Sequence, residues 1–158
     1  MDIFLDEHKN FLLLLLKHQV SFMLIGGYAV IYYGYERGTG DMDIWLMPDN
    51  KNKEKFIRAL REHGIKEDIL KEVNKMNFVE PKVLHIGEKP NKIDFLTQVH
   101  GVTYLEADNK KQLLPLKNYF VPVIDYYHLI TIKMLAGRPQ DIADVDILQK
   151  INRFKNKK

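Results

Sequence analysis

The sequence predicts an α+β domain in which a mixed β-sheet is flanked by helices and closed by a C-terminal helical pair. Three observations carry that expectation. Short apolar runs bounded by glycine, proline or aspartate read as strands at 21–25, 41–47, 82–86, 92–97 and 119–123. Apolar residues at helical spacing separate several of them, most clearly over 3–20 and 51–63. The last segment is punctuated by Asp125, Gly137 and Pro139, residue types that open and close helices.

In chain order, Phe4, His8, Phe11, Leu12 and Leu15 share one face of a helix over 3–20, with Asp6, Glu7, Lys9 and Asn10 elsewhere. Leucines from Leu12 to Leu16 run round most of that helix, so it packs on more than one side, against the sheet in preference to a partner subunit. The strand 21–25 ends in Gly26 and Gly27, and a short aromatic helix, 28–33, follows. Its tyrosines, with Tyr35, read as core before they read as a stacking surface for a base. Helix 51–63 turns Phe56, Ile57 and Leu60 inward and stops at Gly64; 68–75 is a further short helix or turn. Runs 82–86 and 92–97, joined through Pro90, read as a hairpin, which makes the strand of Asp94 an antiparallel neighbour of the core sheet. Residues 102–117 are polar and uneven, and Pro122 consigns strand 119–123 to a sheet edge or strand end. Asp125 caps a helix to about 135, and after Pro139 a final helix carries Ile142, Val145, Leu148 and Ile151 as its apolar stripe. The expected organisation is a core over 1–124 with the helices of 125–158 packed on the same domain.

Composition excludes several classes. With 158 residues, 46% hydrophobic and 28% charged, the chain suits one folded domain. The net charge of +3 is too small to mark a nucleic-acid binder by itself, although Arg153, Lys155, Lys157 and Lys158 concentrate it at the C-terminus, as a frayed solubilising end also would. Absence of cysteine rules out disulfides and thiolate zinc sites. The apolar run 11–16 is far short of the roughly twenty residues a membrane span needs, and Asp2, Asp6 and Glu7 stand where a signal peptide would be basic. The expectation is a cytoplasmic protein without membrane partners.

The chemistry concentrates in 24–46, LIGGYAVIYYGYERGTGDMDIWL. Side chains at i and i+2 of a strand project from one face, so Asp41 and Asp43 stand side by side. Carboxylates that close repel, and a cation between them relieves the repulsion. A hard ion such as Mg²⁺ (or Mn²⁺) takes a few carboxylates and leaves other positions to phosphates. Taken alone, the pair also reads as two solvent-facing residues alternating with buried Met42 and Ile44. The glycines upstream shift that balance, because the N-terminus of the helix after them offers unpaired N–H groups to a phosphate. A third carboxylate is expected from a neighbouring strand, with Asp94 the candidate. Gly38-Thr39-Gly40 lacks the rest of a dinucleotide fingerprint, no GxxxxGK[ST] loop occurs, and the histidines at 8, 18, 63, 85, 100 and 128 form no metal-binding pair.

Gly26, Gly27, Arg37, Thr39, Asp41 and Asp43 together resemble the small prokaryotic nucleotidyltransferases of the DNA polymerase beta superfamily, in the variant carried by abortive-infection toxin nucleotidyltransferases and related minimal families. The Gly-Ser form of that motif is absent, since Tyr28 follows the glycines. Downstream, Lys133, Arg138, Asp141 and Asp144 resemble the C-terminal signature of the same group. The resemblance implies a nucleotidyltransferase fold and a metal-dependent enzyme that transfers an NMP from a nucleoside triphosphate to an acceptor hydroxyl and releases pyrophosphate. It implies Asp41, Asp43 and Asp94 as catalytic metal ligands. Gly26, Gly27, Arg37, Thr39, Lys133 and Arg138 would contact the nucleotide, with Thr39 alternatively bracing the turn and Arg138 alternatively paired with Asp141. Acceptors in the group include tRNA and other RNA, partner proteins and small molecules, often within toxin–antitoxin pairs. The alternative is a catalytically idle module of the same fold that binds a partner and regulates.

Overall fold

The computed structural model describes residues 2–157; Lys158 of the basic tail lies outside the described residues. Among these, six strands form one mixed sheet and seven helices surround it. The strands are β1 (Phe22–Ile25), β2 (Asp41–Leu46), β3 (Val83–Ile86), β4 (Lys92–Leu96), β5 (Gln112–Leu116) and β6 (Tyr119–Val123), in spatial order β3-β4-β2-β1-β6-β5. The helices are α1 (Asp6–Lys17), α2 (Gly26–Tyr32), α3 (Asn50–His63), α4 (Glu67–Lys75), α5 (Tyr104–Lys110), α6 (Tyr126–Ala136) and α7 (Pro139–Asn156). No helix among the described residues is long and apolar enough to cross a membrane.

β2 is the hinge of the arrangement. It pairs antiparallel with β1, Ile25 opposite Asp43, and parallel with β4, Asp43 opposite Asp94. Its alternation gives the sheet two different faces: Met42 and Ile44 are fully buried, while Asp41 and Asp43 are only half-buried. On the apolar face, Phe95 of β4 meets Phe11 of α1 and Phe56 of α3 at centroid distances of 5.5 and 4.8 Å. Phe95 and Asp94 are successive strand residues, so that packing aims Asp94 at the opposite face.

Three expectations need correction. β4 is antiparallel to β3, as the hairpin requires, but parallel to β2; α3 and α4 return the chain across the sheet, so β3 takes the antiparallel direction and the edge. β6 lies inside the sheet between β1 and β5, not at its edge; Pro122 stands at the strand end, the other alternative, one residue before Val123, where β6 meets β1 only at Leu24. The uneven segment 102–117 contains α5 and β5. Its strand holds Pro115 and is the outermost on its side, where a missing N–H costs little.

Helix ends follow local chemistry. The Asp125 carboxylate accepts from His128 N at 3.0 Å to start α6, and Gly137 ends it at φ 65°. α7 starts at Pro139 and buries Asp141, Asp144, Val145 and Leu148. Val145 and Leu148 face inward as the expected stripe requires and Ile151 is half-buried, but Ile142 is 61% exposed, and Asp141 and Asp144 take the core-facing positions in the first turns of the helix. α2 begins at Gly26, two residues earlier than its aromatic run implies. α1 is shorter than 3–20, with Leu5 already extended as its N-cap and Gln19 at φ 58° beyond its end.

Candidate active site

The three acids expected to converge do so. One carboxylate oxygen each from Asp41, Asp43 and Asp94 lies within 4.8 Å of the others. They line a cleft of about 370 Å³ together with Gly26, Gly27, Arg37, Thr39, Gly40, Lys89, Lys133, Arg138, Gln140 and Asp141. Strand register explains the convergence: two residues of β2 share a face, and the parallel pairing brings Asp94 level with Asp43.

Burial and mutual repulsion dominate the electrostatics at the three acids. Asp43 is pushed up to about 7, first by burial and then by the charges of Asp41 and Asp94, against the pull of Lys133 and Arg138. Asp41 is also raised, by burial first and then by the hydrogen bond and charge of Asp94. Lys92 lies 3.4 Å from Asp94 and offsets part of the repulsion. All-oxygen donors, negatively charged and crowded, fit a hard divalent cation.

The glycines serve close approach. Gly26 has φ 65°, and a Cβ on it would collide with the Asp43 carboxylate. A Cβ on Gly27 would lie 2.5 Å from Thr39 Oγ1. Any larger residue at either place would push α2 off the acids. No side chain caps the α2 N-terminus, leaving its first N–H groups to the cleft. Thr39 donates its hydroxyl to the Asp41 carbonyl at 2.8 Å, which braces the turn into β2.

A buried ion network closes the far wall. Lys133 Nζ lies 3.1 Å from Asp141 Oδ1 and 2.9 Å from Asp144 Oδ2. Arg37 grips Asp144 with Nε at 3.0 Å and Nη2 at 2.9 Å, and Gln140 adds a bond at 2.9 Å. Arg138 Nε donates to Asp141 at 2.8 Å, so this guanidinium takes the pairing and its side chain is otherwise 78% exposed. Burial pushes Asp141 and Asp144 upward, but the hydrogen bonds from these cations outweigh it and hold both below the usual carboxylate value. The network is interior: the side chains of Lys133, Asp141 and Asp144 are 8%, 3% and 0% exposed. Three cations against two carboxylates leave a positive excess facing the acids.

Two further cations went unread in the sequence. Lys92 stands two residues before Asp94 on one strand, a spacing that could have found it. Lys89 folds over Gly40, its Cδ 3.0 Å from where a Cβ would stand there; it sits in a turn remote in sequence, and no local signal marks it.

No family model matches the chain, and no curated protein matches it significantly. Among solved structures it is similar to the lincomycin-bound crystal structure of the lincosamide antibiotic adenylyltransferase LnuA, with a TM-score of 0.59 at 18% identity, over 96% of this chain and 99% of that one. At that identity the likeness is one of architecture. The chain therefore has a nucleotidyltransferase fold, built on a six-stranded mixed sheet.

Proposed function

We propose that the chain is a metal-dependent nucleotidyltransferase that moves an NMP from a nucleoside triphosphate to an acceptor hydroxyl. The observation that carries this reading is the meeting of three carboxylates from adjacent strands, within 4.8 Å, beside an uncapped helix start. Asp41, Asp43 and Asp94 would hold Mg²⁺ or Mn²⁺, which supplies charge neutralisation of the triphosphate and of the attacking oxygen.

The chain's own groups do the rest. The N–H groups of Gly26 and Gly27 donate to phosphate oxygens, from a helix start that lies against Asp43 and Thr39 only because neither residue has a side chain. Lys133 and Arg37 are held by Asp144 in fixed positions behind the phosphates, and Arg138 stands at the rim, so charge is placed before the nucleotide arrives. The acceptor oxygen bonds to the α-phosphorus as the bond to the β-phosphate bridging oxygen breaks. Asp94 takes the acceptor's proton, and pyrophosphate leaves with the electron pair.

Asp94→Asn is expected to retain nucleotide binding while transfer falls at least about 100-fold. Incubation with α-labelled nucleoside triphosphates and Mg²⁺, beside nucleotide-binding isotherms, measures both. Transfer at the parent rate would remove Asp94 from the mechanism. Absence of any Mg²⁺-dependent nucleotide binding in the parent would instead favour an idle module of the same fold.

A further inference from the structure

The C-terminal half of α7 continues as helix to Asn156, so Arg153 and Lys155 are held in place. Facing them are Tyr126 and Tyr127 of α6 and Tyr33 at the end of α2. Between these elements lie two adjoining hollows of about 270 and 150 Å³, which share Tyr126, Tyr127 and Asn152. Gln149 and Arg153 line the first, Tyr33 and Lys155 the second.

Tyr33 and Tyr126 spend their hydroxyls on the carbonyls of Ile124, at 2.6 Å, and Leu148, at 3.3 Å, which fixes both rings. Tyr127 meets Tyr126 edge-on at 5.0 Å and is 68% exposed. Lys155 Nζ hangs over Gly34, 3.9 Å from where a Cβ would stand. Among the described residues neither Arg153 nor Lys155 has a carboxylate in ion-pair range, whereas neighbouring Lys150 is held by Asp146 at 3.0 Å.

Each part answers one part of a polynucleotide: rings stack on bases, amides reach base edges, and cations without counter-charge meet phosphates. We propose that this surface seats a single-stranded nucleic acid whose terminal hydroxyl is the acceptor. The proposal rests on the reading of the cleft given above and adds the substrate class. α7 sets the path, because Asp141 in its first turn lines the cleft and Asn152 lines the hollows. Eleven residues of helix span about 16 Å, and a stacked strand rises about 3.4 Å per nucleotide. The strand therefore reaches from cleft to tyrosines in on the order of five nucleotides. Cations near the end of a helix also complement its dipole, but that accounts for neither the open Tyr127 ring nor the two amides beside it.

The test is fluorescence anisotropy of the full chain with labelled single-stranded 12-mers, RNA and DNA, across a salt series. Binding of either strand is expected, weakened about tenfold by Tyr127→Ala, with the salt slope reduced by about one to two on changing Arg153 and Lys155 together to glutamine. In transfer assays Tyr127→Ala should slow reaction with strands of eight or more nucleotides and leave a trinucleotide acceptor unaffected. No oligonucleotide binding at low salt, variants that bind like the parent, or label appearing only on protein would each overturn the proposal. Mg²⁺-dependent nucleotide binding on the same samples separates the two readings. If it persists where oligonucleotides fail, the acceptor is of another class and the cleft assignment stands; if it is lost too, the cleft assignment falls as well.

Discussion

At Asp43 the fold holds a carboxylate where its charge is least welcome, and this has a measurable consequence. Its folded-state value of about 7 lies above the 3.8 of an unperturbed aspartate. The folded protein therefore binds more protons than the unfolded chain between about pH 4 and pH 7, and metal-free stability falls through that window and levels above it. Removing the charge should reverse the loss. Asp43→Asn is expected to raise metal-free stability at pH 8 by roughly 1–3 kcal/mol, and to abolish the stabilisation that Mg²⁺ gives the parent. Urea unfolding at pH 8 and pH 5.5, with and without Mg²⁺, reads both effects; a variant less stable than the parent at pH 8 would show that repulsion does not dominate there. The adjacency of Asp41 and Asp43 was legible from their spacing, because a strand's period is fixed at two. Why Gly26 must be glycine was not, because its neighbour is Asp43 across a strand pair whose register no local sequence states.

The glycine start of α2 and the ion network between α6 and α7 place the site at the scale of elements. Gly26→Ala adds a Cβ at φ 65° and against a carboxylate. About 1–2 kcal/mol of stability should go to the backbone alone, with nucleotide transfer falling further because α2 can relieve the clash only by backing away from the acids. Melting curves beside transfer rates separate the two; an alanine variant with full transfer would show that the approach of α2 is not needed. Lys133→Met leaves Asp141 and Asp144 buried with one cation fewer. A loss of about 3–5 kcal/mol is expected, read from denaturant midpoints, and a variant as stable as the parent would mark the network as dispensable. Helix ends here were legible because Asp125, Gly137 and Pro139 act locally. The first turns of α7 were not: apolar periodicity selected Ile142 beside Val145 and Leu148, whereas Asp141 and Asp144 go inward because Arg37 and Lys133 wait for them. For the same reason β5 was hidden, its Pro115 and exposed Leu113 suiting an edge that only the assembled sheet defines.

Across the whole molecule, the arrangement bears on whether 1–124 can stand as a core by itself. Arg37, just before β2, is tied to Asp144 on α7 by two hydrogen bonds, and Tyr33 at the end of α2 packs on Tyr126 of α6 at 5.7 Å. The C-terminal helices also carry buried Leu129, Ile130, Val145 and Leu148 in the same apolar cluster as β1 and β6. Residues of both segments belong to one apolar cluster, so core and helical pair are expected to fold as a unit. The full chain should unfold in a single cooperative transition, with circular dichroism and tryptophan fluorescence from Trp45 giving coincident midpoints. A fragment ending at residue 124 should fail to fold, since it exposes the site-facing side of the sheet and leaves Arg37 without a counter-charge. Adding Mg²⁺ with a nucleoside triphosphate should raise the single midpoint of the full chain and leave the fragment unchanged, because the fragment lacks Lys133 and Arg138, two of the cations that line the cleft. Dispersed amide resonances from the fragment, or two separate transitions in the full chain, would mean that the helical pair is an appendage and that the site is assembled by docking rather than by folding.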